Sequence, residues 1–585
     1  MPIASLDFET TGFSPQKGAR VFAYVIMYES GEHYIGKLTN RKDERYLERF
    51  LLDTSFEKVC HNLKFELSFI HYHGWAIAQG TVWHDTMIMA QLLDNTAYSH
   101  ALDVLAADLC DYPTDVDDEV AAIAKAYGGY DKVPDPLMRE YQRRDGERTM
   151  ILYNTYRERI TGRLLECYQN EIETIKVTQR METRGIRLSR PECHKLISWM
   201  RIELEKNETN LYEMAGSYYN LSSPDDVSEL LYKKFGLPVL KKTKKSGKPA
   251  VDKPTLAILY EKFSHPILDV IRRHRSYTKG IADVNNYLSL ATDNDIIYPN
   301  IRTNHADTGR QAASNPNLQN VAKAESQTNK FPVPARKCFI PREGHVLLFA
   351  DYSGIEMRLI IDTTGEEELL ELVKRNGDPH KLAAEIFYGS RFAGEDTKRS
   401  AAKNAQFAKA YGAGLVKVAA TLALSIEEAA PGYHAYCKRF PKVAGFTGQM
   451  ISLIREDGFV TTAFGRQLRI NPEKAYSGSN YVIQGTAAEI LKRAEVAVDK
   501  YLRDEWNDEI YLLLPIHDEL VFETQKKLLP EIPRAAKRIR ELMIDMPQIR
   551  IPLDVEWKIT ETTWNAVKKW KPVYHKPLRR LEVVK

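Results

Sequence analysis

The sequence is poor in cysteine and has no long apolar run. Its six cysteines are scattered over 585 residues and form no CxxC pair, which argues against zinc ribbons and disulfide frameworks and favours reduced thiols. No stretch approaches the roughly 18 apolar residues that a membrane-spanning helix needs. The first residues carry no basic segment followed by an apolar stretch, so we expect no secretion signal and a cytoplasmic protein.

An excess of charge of one sign is also absent. The 82 Lys and Arg residues almost balance the 79 Asp and Glu residues, for a formal net charge of +3. Because local clusters rather than totals form a nucleic-acid footprint, this balance neither favours nor excludes DNA binding. With 43% hydrophobic and 28% charged residues, the composition excludes a collagen, a coiled-coil rod and a disordered chain. The length is about four times that of a typical domain, so we expect several domains.

The pattern of the chain changes along its length. Up to about residue 163, strand-like runs alternate with helical ones, as at Val21–Tyr28 and Met87–Leu93, which indicates an α/β unit. Residues 163–215 are helical in pattern and highly charged, and we expect a long solvated helical stretch there. The Lys-rich residues 237–253 form either a solvated loop or, if nucleic acid lies nearby, a loop that contacts phosphates.

Two apolar runs end in acidic residues where a strand would be buried. Asp351 and Asp518 each follow such a run, and an ionised carboxylate there must be paired or bound to a cation. A single Asp of this kind is more typical of a turn or a salt bridge, and the His517-Asp518 pair suits a tight hairpin. With Glu356 and Glu519 close by, the pattern also fits magnesium ions held by carboxylates for phosphoryl transfer.

A basic and aromatic stripe marks one predicted helix. Arg399, Lys403, Phe407 and Tyr411 follow one another at four-residue intervals, so they lie on one helical face, and Gly412 offers a stop. Two cations followed by two aromatic rings suit a triphosphate bound by charge with its base stacked on a ring. An amphipathic helix with ordinary surface cations is the equal alternative on spacing alone.

Seven segments resemble the family A DNA polymerases, the class of bacterial DNA polymerase I. Motifs A, B and C correspond to DYSGIEMR at 351–358, RxxxKxxxFxxxYG at 399–412 and HDE at 517–519. Further matches are MxxxGIRL at 181–188, TGR at 308–310, NPNLQN at 315–320 and QGTAAEI at 484–490. Because the segments keep the family's order over nearly the whole chain, the resemblance is specific.

The resemblance implies a DNA-directed DNA polymerase that extends a primer 3′ end with dNTPs. Asp351 and Asp518 would hold two Mg²⁺ ions, replaceable by Mn²⁺, with the backbone carbonyl of Tyr352 as a further ligand. One departure concerns Gly354, where the family commonly has Gln. We expect catalysis to survive this change, while the hold on the terminal base pair is in doubt.

The resemblance also assigns the contacts to nucleotide and DNA. The implied dNTP-binding residues are Arg399, Lys403 and His380 for the phosphates, Phe407 for stacking, Tyr411 at the templating position and Glu356 for excluding a 2′-hydroxyl. The implied DNA contacts are Arg310, Arg466, Asn480, Gln484, Arg275, Lys279 and His517. Such contacts position a duplex without reading its sequence.

A second set of carboxylates lies near the amino terminus. Asp7 and Glu9 are two residues apart, so they share one face of a strand, and Tyr141 and Asp145 share one face of a helix. A DxE pair is a weak signal alone, but together with HNLKFE at 61–66 the set resembles the DEDDy 3′–5′ proofreading exonucleases. That family implies two metal ions held by Asp7, Glu9 and Asp145, with Tyr141 orienting the attacking water.

The fourth acid of this set departs from the family. Glu66 stands where Asp is usual, and its extra methylene shifts the carboxylate by roughly 1 Å, which can cost about a hundredfold in rate. We therefore expect a catalytic role for Glu66 in an exonuclease that works but is attenuated. Asp85 is a possible compensating acid, although the family gives the Asp-Thr pair at this place a structural part.

The resulting fold prediction is an α/β multidomain protein with an RNase H-like exonuclease domain and a right-hand polymerase. The predicted divisions are the exonuclease (1–168), a helical thumb (169–296), an antiparallel palm in two parts (297–365 and 456–585) and helical fingers (366–455). Two alternatives stay open, a single-subunit RNA polymerase and an inert nucleic-acid clamp. Glu356 and the exonuclease set argue against the first, and the complete metal-ligand set argues against the second.

The predicted partners are primer-template DNA and dNTPs, with unidentified replisome proteins such as a helicase, a primase or a single-strand binding protein. The exonuclease pattern begins at residue 7, which leaves no room for an amino-terminal 5′-nuclease in this sequence. A polymerase-plus-exonuclease chain of this length is typical of phage replicative enzymes. We therefore expect the cytoplasm of a bacterial or phage-infected cell.

Overall fold

The computed structural model describes residues 1–243, 246–303, 306–324, 330–389, 392 and 394–572. In this part of the chain, no helix is both long and apolar enough to cross a membrane. Lys244 and Lys245 of the Lys-rich loop lie outside the described residues. Within that loop Lys241 pairs with Asp252 at 3.0 Å.

The amino-terminal region folds around a five-stranded mixed sheet. Its strands are β1 (Ile3–Thr10), β2 (Val21–Tyr28), β3 (His33–Lys37), β4 (Glu57–Cys60) and β5 (Trp83–Asp85). They lie in the order β3-β2-β1-β4-β5, antiparallel from β3 to β1 and parallel from β1 to β5. This arrangement confirms the predicted RNase H-like domain.

Six helices cover this sheet. They are α1 (Arg41–Leu52), α2 (Leu63–His73), α3 (Thr86–Leu93), α4 (Leu102–Cys110), α5 (Asp115–Tyr127) and α6 (Asp135–Arg157). The β-branched and aromatic run of β2 buries residues on both faces, because helix α6 packs over β1 and β2. Helix α6 therefore brings its own polar face over the centre of the sheet.

Helix α7 (Gly162–Arg184) corrects the expectation of a solvated stretch. Eleven of its residues are buried, among them Glu171, because the helix packs against both α2 and the long helix Gly478–Trp506. Its high charge misled the prediction, since several charges form ion pairs inside the protein rather than facing water. The helix ends at Gly185, which has a φ of 59°, and a Cβ there would lie 2.6 Å from the carbonyl oxygen of Ile297.

The next region is helical. Its elements are β6 (Ile186–Leu188), α8 (Arg190–Ala215), α9 (Pro224–Ser228), α10 (Lys253–Phe263) and α11 (Pro266–Leu290). The long helices α8 and α11 pack along each other, and their far ends join α9 and α10 in a separate apolar core. This is the architecture that the predicted helical thumb requires.

The palm begins with short strands and a long central one. The elements are β7 (Ile296–Ile297), β8 (Asn300–Arg302), β9 (Ala312–Ser314), β10 (Phe339–Ile340), β11 (His345–Tyr352) and helix α12 (Ile355–Thr364). Six helices follow: α13 (Glu367–Lys374), α14 (Pro379–Tyr388), α15 (Asp396–Ala410), α16 (Leu415–Leu422), α17 (Ile426–Arg439) and α18 (Pro441–Asp457). These six form the predicted helical fingers.

The chain then returns to the palm. Its elements are β12 (Phe459–Thr461), β13 (Gln467–Arg469), α19 (Gly478–Trp506), β14 (Ile510–Ile516), β15 (Glu519–Gln525), α20 (Ile532–Ile544), β16 (Val555–Thr560) and β17 (Lys568–Trp570). An antiparallel sheet in the order β14-β15-β11-β16-β17 joins the two parts of the palm. The predicted divisions at 168 and 455 fall inside helices α7 and α18, and the domain boundaries stay predictions.

Candidate active sites

One candidate site, called the palm site, consists of Asp351, Glu356, Asp518 and Glu519. Asp351 lies near the end of the central strand β11, directly opposite Glu519 of β15. Asp518 belongs to the two-residue turn between β14 and β15, and the Tyr352 amide donates to its carbonyl oxygen at 3.1 Å. The tight hairpin is present in the structure, and the Asp351 charge contributes to raising the pKa of Asp518, so the two aspartates interact.

The left-handed turn residue explains the hairpin. His517 has a φ of 56°, and its exposed side chain leaves Asp518 to turn towards the sheet. A two-residue hairpin of this kind needs positive φ values, which short polar residues tolerate. The local backbone geometry therefore brings Asp518 next to the end of β11, where its carbonyl oxygen accepts the amide of Tyr352.

Two cations from other elements contact the palm site. Lys558 of β16 donates to Asp351 Oδ2 and to Glu519 Oε1, both at 2.9 Å. Arg310 lies 3.2 Å from Glu356 Oε1 and 3.9 Å from Asp518 Oδ1. The four carboxylates are therefore partly neutralised by the protein itself.

Burial still affects the acids of this site. It raises the pKa of Asp518 to about 6, with Arg310 opposing the shift and Glu356 and Asp351 adding to it. Burial likewise raises the pKa of Glu519, against the effect of Lys558. The oxygen ligands, their closeness and their mutual repulsion fit a hard divalent cation such as Mg²⁺.

The predicted nucleotide-binding stripe lies on helix α15. The helix ends at Ala410, with Tyr411 as its C-cap, so the four side chains follow one face as expected. The rings of Phe407 and Tyr411 are nearly parallel, with centroids 6.5 Å apart. Burial raises the pKa of Tyr411, the charge of Glu356 raises it further, and the charge of Arg310 lowers it. The Tyr411 end of the stripe therefore adjoins the palm site.

The upper part of the stripe is held by the start of helix α14. Arg399 Nε donates to Asp378 Oδ2 at 2.5 Å, and that aspartate also caps α14. His380 Nδ1 lies 2.8 Å from Gln406 Oε1, and burial lowers the pKa of this histidine. Lys403 is exposed between them. The predicted phosphate-binding residues therefore cluster on one side of the fingers.

The departure at Gly354 has a local reason. This residue is the N-cap of α12, with a φ of 60°, and a Cβ built on it would meet no heavy atom within 4 Å. The left-handed backbone favours glycine here, since any other residue would be strained. The turn lets the chain leave β11 after Asp351 and place Glu356 in the first turn of α12.

Most predicted DNA contacts lie at accessible positions. Asn480 and Gln484 are half-buried on α19 and bond to each other at 3.0 Å. On α11, Lys279 is exposed and pairs with Asp283, while Arg275 Nη1 donates to the carbonyl oxygen of Val251 at 2.7 Å. The structure brings Arg310 and His517 beside the palm site, and these contacts stay predictions.

Arg466 is a correction. Its side chain is 3% exposed, and its guanidinium group bonds to Glu171 of α7 and Glu489 of α19. Lys492 also contacts Glu171, at 2.5 Å. With its ends occupied by two glutamates inside the protein, Arg466 joins α7 to the palm, and its side chain is not accessible in this structure. Sequence reasoning missed this because Glu171 lies 295 residues away.

The second candidate, called the amino-terminal site, consists of Asp7, Glu9 and Asp145. One carboxylate oxygen from each lies within 4.8 Å of the others. Asp7 and Glu9 project from the same face of β1, and Asp145 comes from α6, which packs on that strand. This cluster could hold a metal ion, and Glu9 Oε1 is buried with no hydrogen-bond partner, so a cation would supply a missing contact.

Burial dominates the electrostatics of the amino-terminal site. It raises the pKa of Asp7 to about 7 and holds those of Glu9 and Asp145 well above their usual range, with mutual repulsion adding to the effect. Arg148 is fully buried and donates to Asp145 at 3.0 Å. Three neighbouring carboxylates whose burial limits their hydration fit a divalent cation.

The remaining predicted members of this site surround the cluster. Tyr141 is half-buried. Burial raises its pKa, and the charges of Asp145, Glu9 and Asp7 raise it further. Glu66 is buried on α2 near Asp7, and among the described residues it lies outside the group of three. Its attenuating effect stays a prediction.

Asp85 is bound to the backbone rather than aimed at the site. Its carboxylate caps α3 through Met87 and Ile88 and accepts the amides of Asn62 and Leu63 at 3.2 and 2.8 Å. These contacts stabilise the start of α2, which carries Glu66. The structural part that the family gives this residue is the one the geometry supports.

Sequence reasoning missed Lys558 and Arg148. Arg148 lies three residues after Asp145 on a predicted helix, so the shared face was a usable signal. Lys558 occupies a polar position between buried residues of a strand, a pattern typical of a solvent-facing side chain. Only the pairing of β16 with β11 reveals that it reaches Asp351.

Comparisons with known proteins point the same way. A family model for DNA polymerase family A matches residues 190–566, and one for 3′-5′ exonucleases matches residues 1–160. The DNA polymerase I of Pseudomonas aeruginosa is 29% identical over 588 residues, covering 95% of this chain and 62% of the relative. The thermostable DNA polymerase I of Thermus thermophilus is 30% identical, covering 76% of this chain and 53% of the relative.

A solved structure has the same fold. The POL domain of Pol1 from M. smegmatis, in complex with DNA primer-template and dNTP, matches with a TM-score of 0.81 at 24% identity. The match covers 97% of this chain and 96% of that one. By contrast, the chain spans 62% and 53% of the length of the two curated relatives.

Proposed function

Because the chain belongs to DNA polymerase family A, we propose that it extends a primer 3′ end on a DNA template with dNTPs and removes mispaired ends by 3′–5′ excision. One observation carries the polymerase half. Arg310 lies 3.2 Å from Glu356 and 3.9 Å from Asp518, and the Glu356 charge also raises the pKa of Tyr411, so acids of the palm site interact with both Arg310 and the end of the stripe on α15. Primer-template DNA and dNTPs are the proposed partners.

The palm residues have distinct tasks in this proposal. Asp351, Asp518 and the Tyr352 carbonyl would hold two divalent cations, Mg²⁺ with Mn²⁺ as a substitute. Cations bound at the two carboxylate sites would activate the attacking hydroxyl or water and stabilise the charge of the leaving group. Glu356 would lie under the sugar and exclude a 2′-hydroxyl. Arg310 would leave its two carboxylates to contact the primer strand.

The fingers residues would bind the nucleotide. Arg399, Lys403 and His380 would hold the triphosphate by charge and hydrogen bonds. Phe407 would stack on the incoming nucleotide, and Tyr411 would close the templating position. Since Arg399 is paired with Asp378 in this structure, nucleotide binding would have to replace that contact.

DNA would run past the palm and the thumb. Asn480, Gln484 and His517 would contact the duplex near its end, and Lys279 and Arg275 would contact it along α11. At the amino-terminal site, Asp7, Glu9 and Asp145 would hold cations while Tyr141 orients water towards a single-stranded 3′ end. Replisome partners and a cytoplasmic location in a bacterial or phage-infected cell remain part of the proposal.

A primer-extension assay tests this function. Purified protein with Mg²⁺ and four dNTPs should extend a labelled primer to the template end, and Asp518→Ala should reduce extension by at least about a thousandfold. The Asp7→Ala variant is the matched control, since it should lose excision of a labelled single strand while extending normally. Extension that survives in Asp518→Ala, or that uses NTPs as well as dNTPs, would contradict the proposal.

A further inference from the structure

A lysine outside every motif contacts two acids of the palm site. Lys558 lies on β16, and its side chain reaches across the central strand β11. Its Nζ is 2.9 Å from Asp351 Oδ2 and 2.9 Å from Glu519 Oε1. One ammonium group therefore joins carboxylates from two neighbouring strands, and one of these belongs to a proposed cation ligand.

This contact differs from an ordinary surface ion pair. The Lys558 side chain is 25% exposed, that of Glu519 only 11% and that of Asp351 38%, so water screens the Lys558–Glu519 pair less than the Lys558–Asp351 pair. The Lys558 ammonium donates to two carboxylates at the same distance, 2.9 Å. The positive charge of the lysine is therefore placed between two acids of the site.

The geometry sets two consequences for a divalent cation. The ammonium contacts Oδ2 of Asp351, which leaves Oδ1 of the same carboxylate as the oxygen outside this contact. A cation bound at that second oxygen would feel repulsion from the ammonium on the same carboxylate. The same contact also restrains the Asp351 side chain before any cation arrives.

We propose that Lys558 is a positioning residue that acts as a built-in counter-ion of the palm site. It orients Asp351 and Glu519 and weakens the binding of divalent cations there. The inference rests on the proposed function for the identity of the site. Lys558 thereby sets the concentration of divalent cation that the polymerase reaction requires.

Cation binding without DNA tests the proposal directly. All proteins in this experiment carry Asp7→Ala and Glu9→Ala, so that Mn²⁺ bound at the amino-terminal site does not contribute to the measured binding. Mn²⁺ titration followed by electron paramagnetic resonance should give about tenfold tighter binding in Lys558→Met, because a like charge is removed. Lys558→Arg should bind like the parent. Unchanged or weaker binding in Lys558→Met would overturn the proposal.

Lys569 supplies the matched control. It lies directly opposite Lys558 on β17, but its side chain is 77% exposed and pairs with Glu556 at 3.6 Å. Lys569→Met should leave Mn²⁺ binding within about twofold of the parent. An equal tightening in both variants would indicate a general charge effect and would overturn the specific role of Lys558.

Extension assays provide a second readout. In Lys558→Met the half-saturating Mg²⁺ concentration should fall about tenfold, while kcat falls severalfold and the dNTP KM stays the same, because Asp351 loses its restraint. A lower kcat without tighter Mn²⁺ binding would contradict the proposal. If Lys558→Met does not fold, Lys558→Gln keeps a hydrogen-bond donor and gives the same comparison.

The two claims fail separately. If the parent protein binds Mn²⁺ more weakly than Lys558→Met but extends no primer, the proposed polymerase function fails and the counter-ion role stands. If the parent extends primers and cation binding does not respond to Lys558, the counter-ion role fails alone.

Discussion

The two carboxylate sites use the same chemical groups in opposite surroundings. At the palm site, Lys558 and Arg310 approach the acids from neighbouring elements, and the pKa of Asp518 rises only to about 6. At the amino-terminal site the acids are buried together, and the pKa of Asp7 rises to about 7. Burial raises the pKa values at both sites, and the sites differ in how many acids a cation contacts: Lys558 and Arg310 contact all four acids of the palm site, whereas Arg148 contacts Asp145 alone among the three acids of the amino-terminal site.

The difference follows from where each site lies on its sheet. Asp351 is at the open end of an antiparallel sheet, where β16 supplies a lysine and the loop before β9 supplies an arginine. Asp7 and Glu9 are in the middle of a sheet that α6 covers, so their only way to lose charge is to bind a proton or a cation. We expect the amino-terminal site to depend more steeply on pH and on its surroundings.

The largest expected effect comes from breaking the buried arginine of the amino-terminal site. Arg148 joins Asp145 at 3.0 Å to Asp117 of α5 at 2.5 Å, and its side chain is fully buried. Arg148→Met leaves two carboxylates unpaired, which costs about 3–5 kcal/mol locally. Excision of a labelled single strand should fall about a hundredfold, while primer extension in the same preparation stays within twofold.

Arg144 on the same helix is the control for this prediction. It also pairs with an acid of α5, Asp115, but that acid is 70% exposed. Arg144→Met should change excision less than about threefold, as is usual for ion pairs that water screens. Equal losses in the two variants would mean that α5 is held by its overall charge and not by the buried pair.

The second prediction uses pH to separate the sites. A carboxyl with a raised pKa stays protonated at higher pH, so acidification from pH 8.5 to 6.5 leaves only about a quarter of Asp7 ionised while most of Asp518 remains ionised. At sub-saturating Mg²⁺, excision should fall about fourfold and extension less than about twofold over this range. Both rates are measured on the same labelled primer. Parallel losses would refute the difference in charge compensation.

The sequence predicted the fold and the local parts of both sites. The RNase H-like sheet, the palm and the fingers follow from motif order, and the His517-Asp518 turn follows from two residues between apolar arms. In each case the signal and the structure lie within a few residues of each other. Spacing rules for strands and helices describe that range well.

Long-range pairings were beyond the sequence. The burial of Arg466 depends on Glu171, and the contact of Lys558 with Asp351 depends on strand order. Helix α7 looked solvated because charge in a sequence does not distinguish an ion pair inside the protein from one in water. These contacts decide which acids are compensated, so the comparison of the two sites required coordinates.

The smallest expected effect tests whether burial alone raises the pKa of a carboxyl group. Glu495 is a fully buried acid of α19 in the polymerase half, and Gln311 donates to it at 2.9 Å. Burial raises its pKa from 4.5 to about 8, so the folded state keeps a proton that the unfolded chain releases between these values. Stability is therefore lost as the pH rises through this window.

Glu495→Gln removes this ionisable group and should flatten the pH dependence of the free energy of unfolding. Between pH 6 and 9 the parent should lose about 2–3 kcal/mol relative to the variant, a shift of about 2 °C in apparent Tm by circular dichroism. Glu505→Gln, an exposed position on the same helix, is the control and should follow the parent. If Glu495→Gln follows the parent too, burial without a cation does not suffice to raise a pKa here, and the contrast between the sites would have to come from mutual repulsion among the acids.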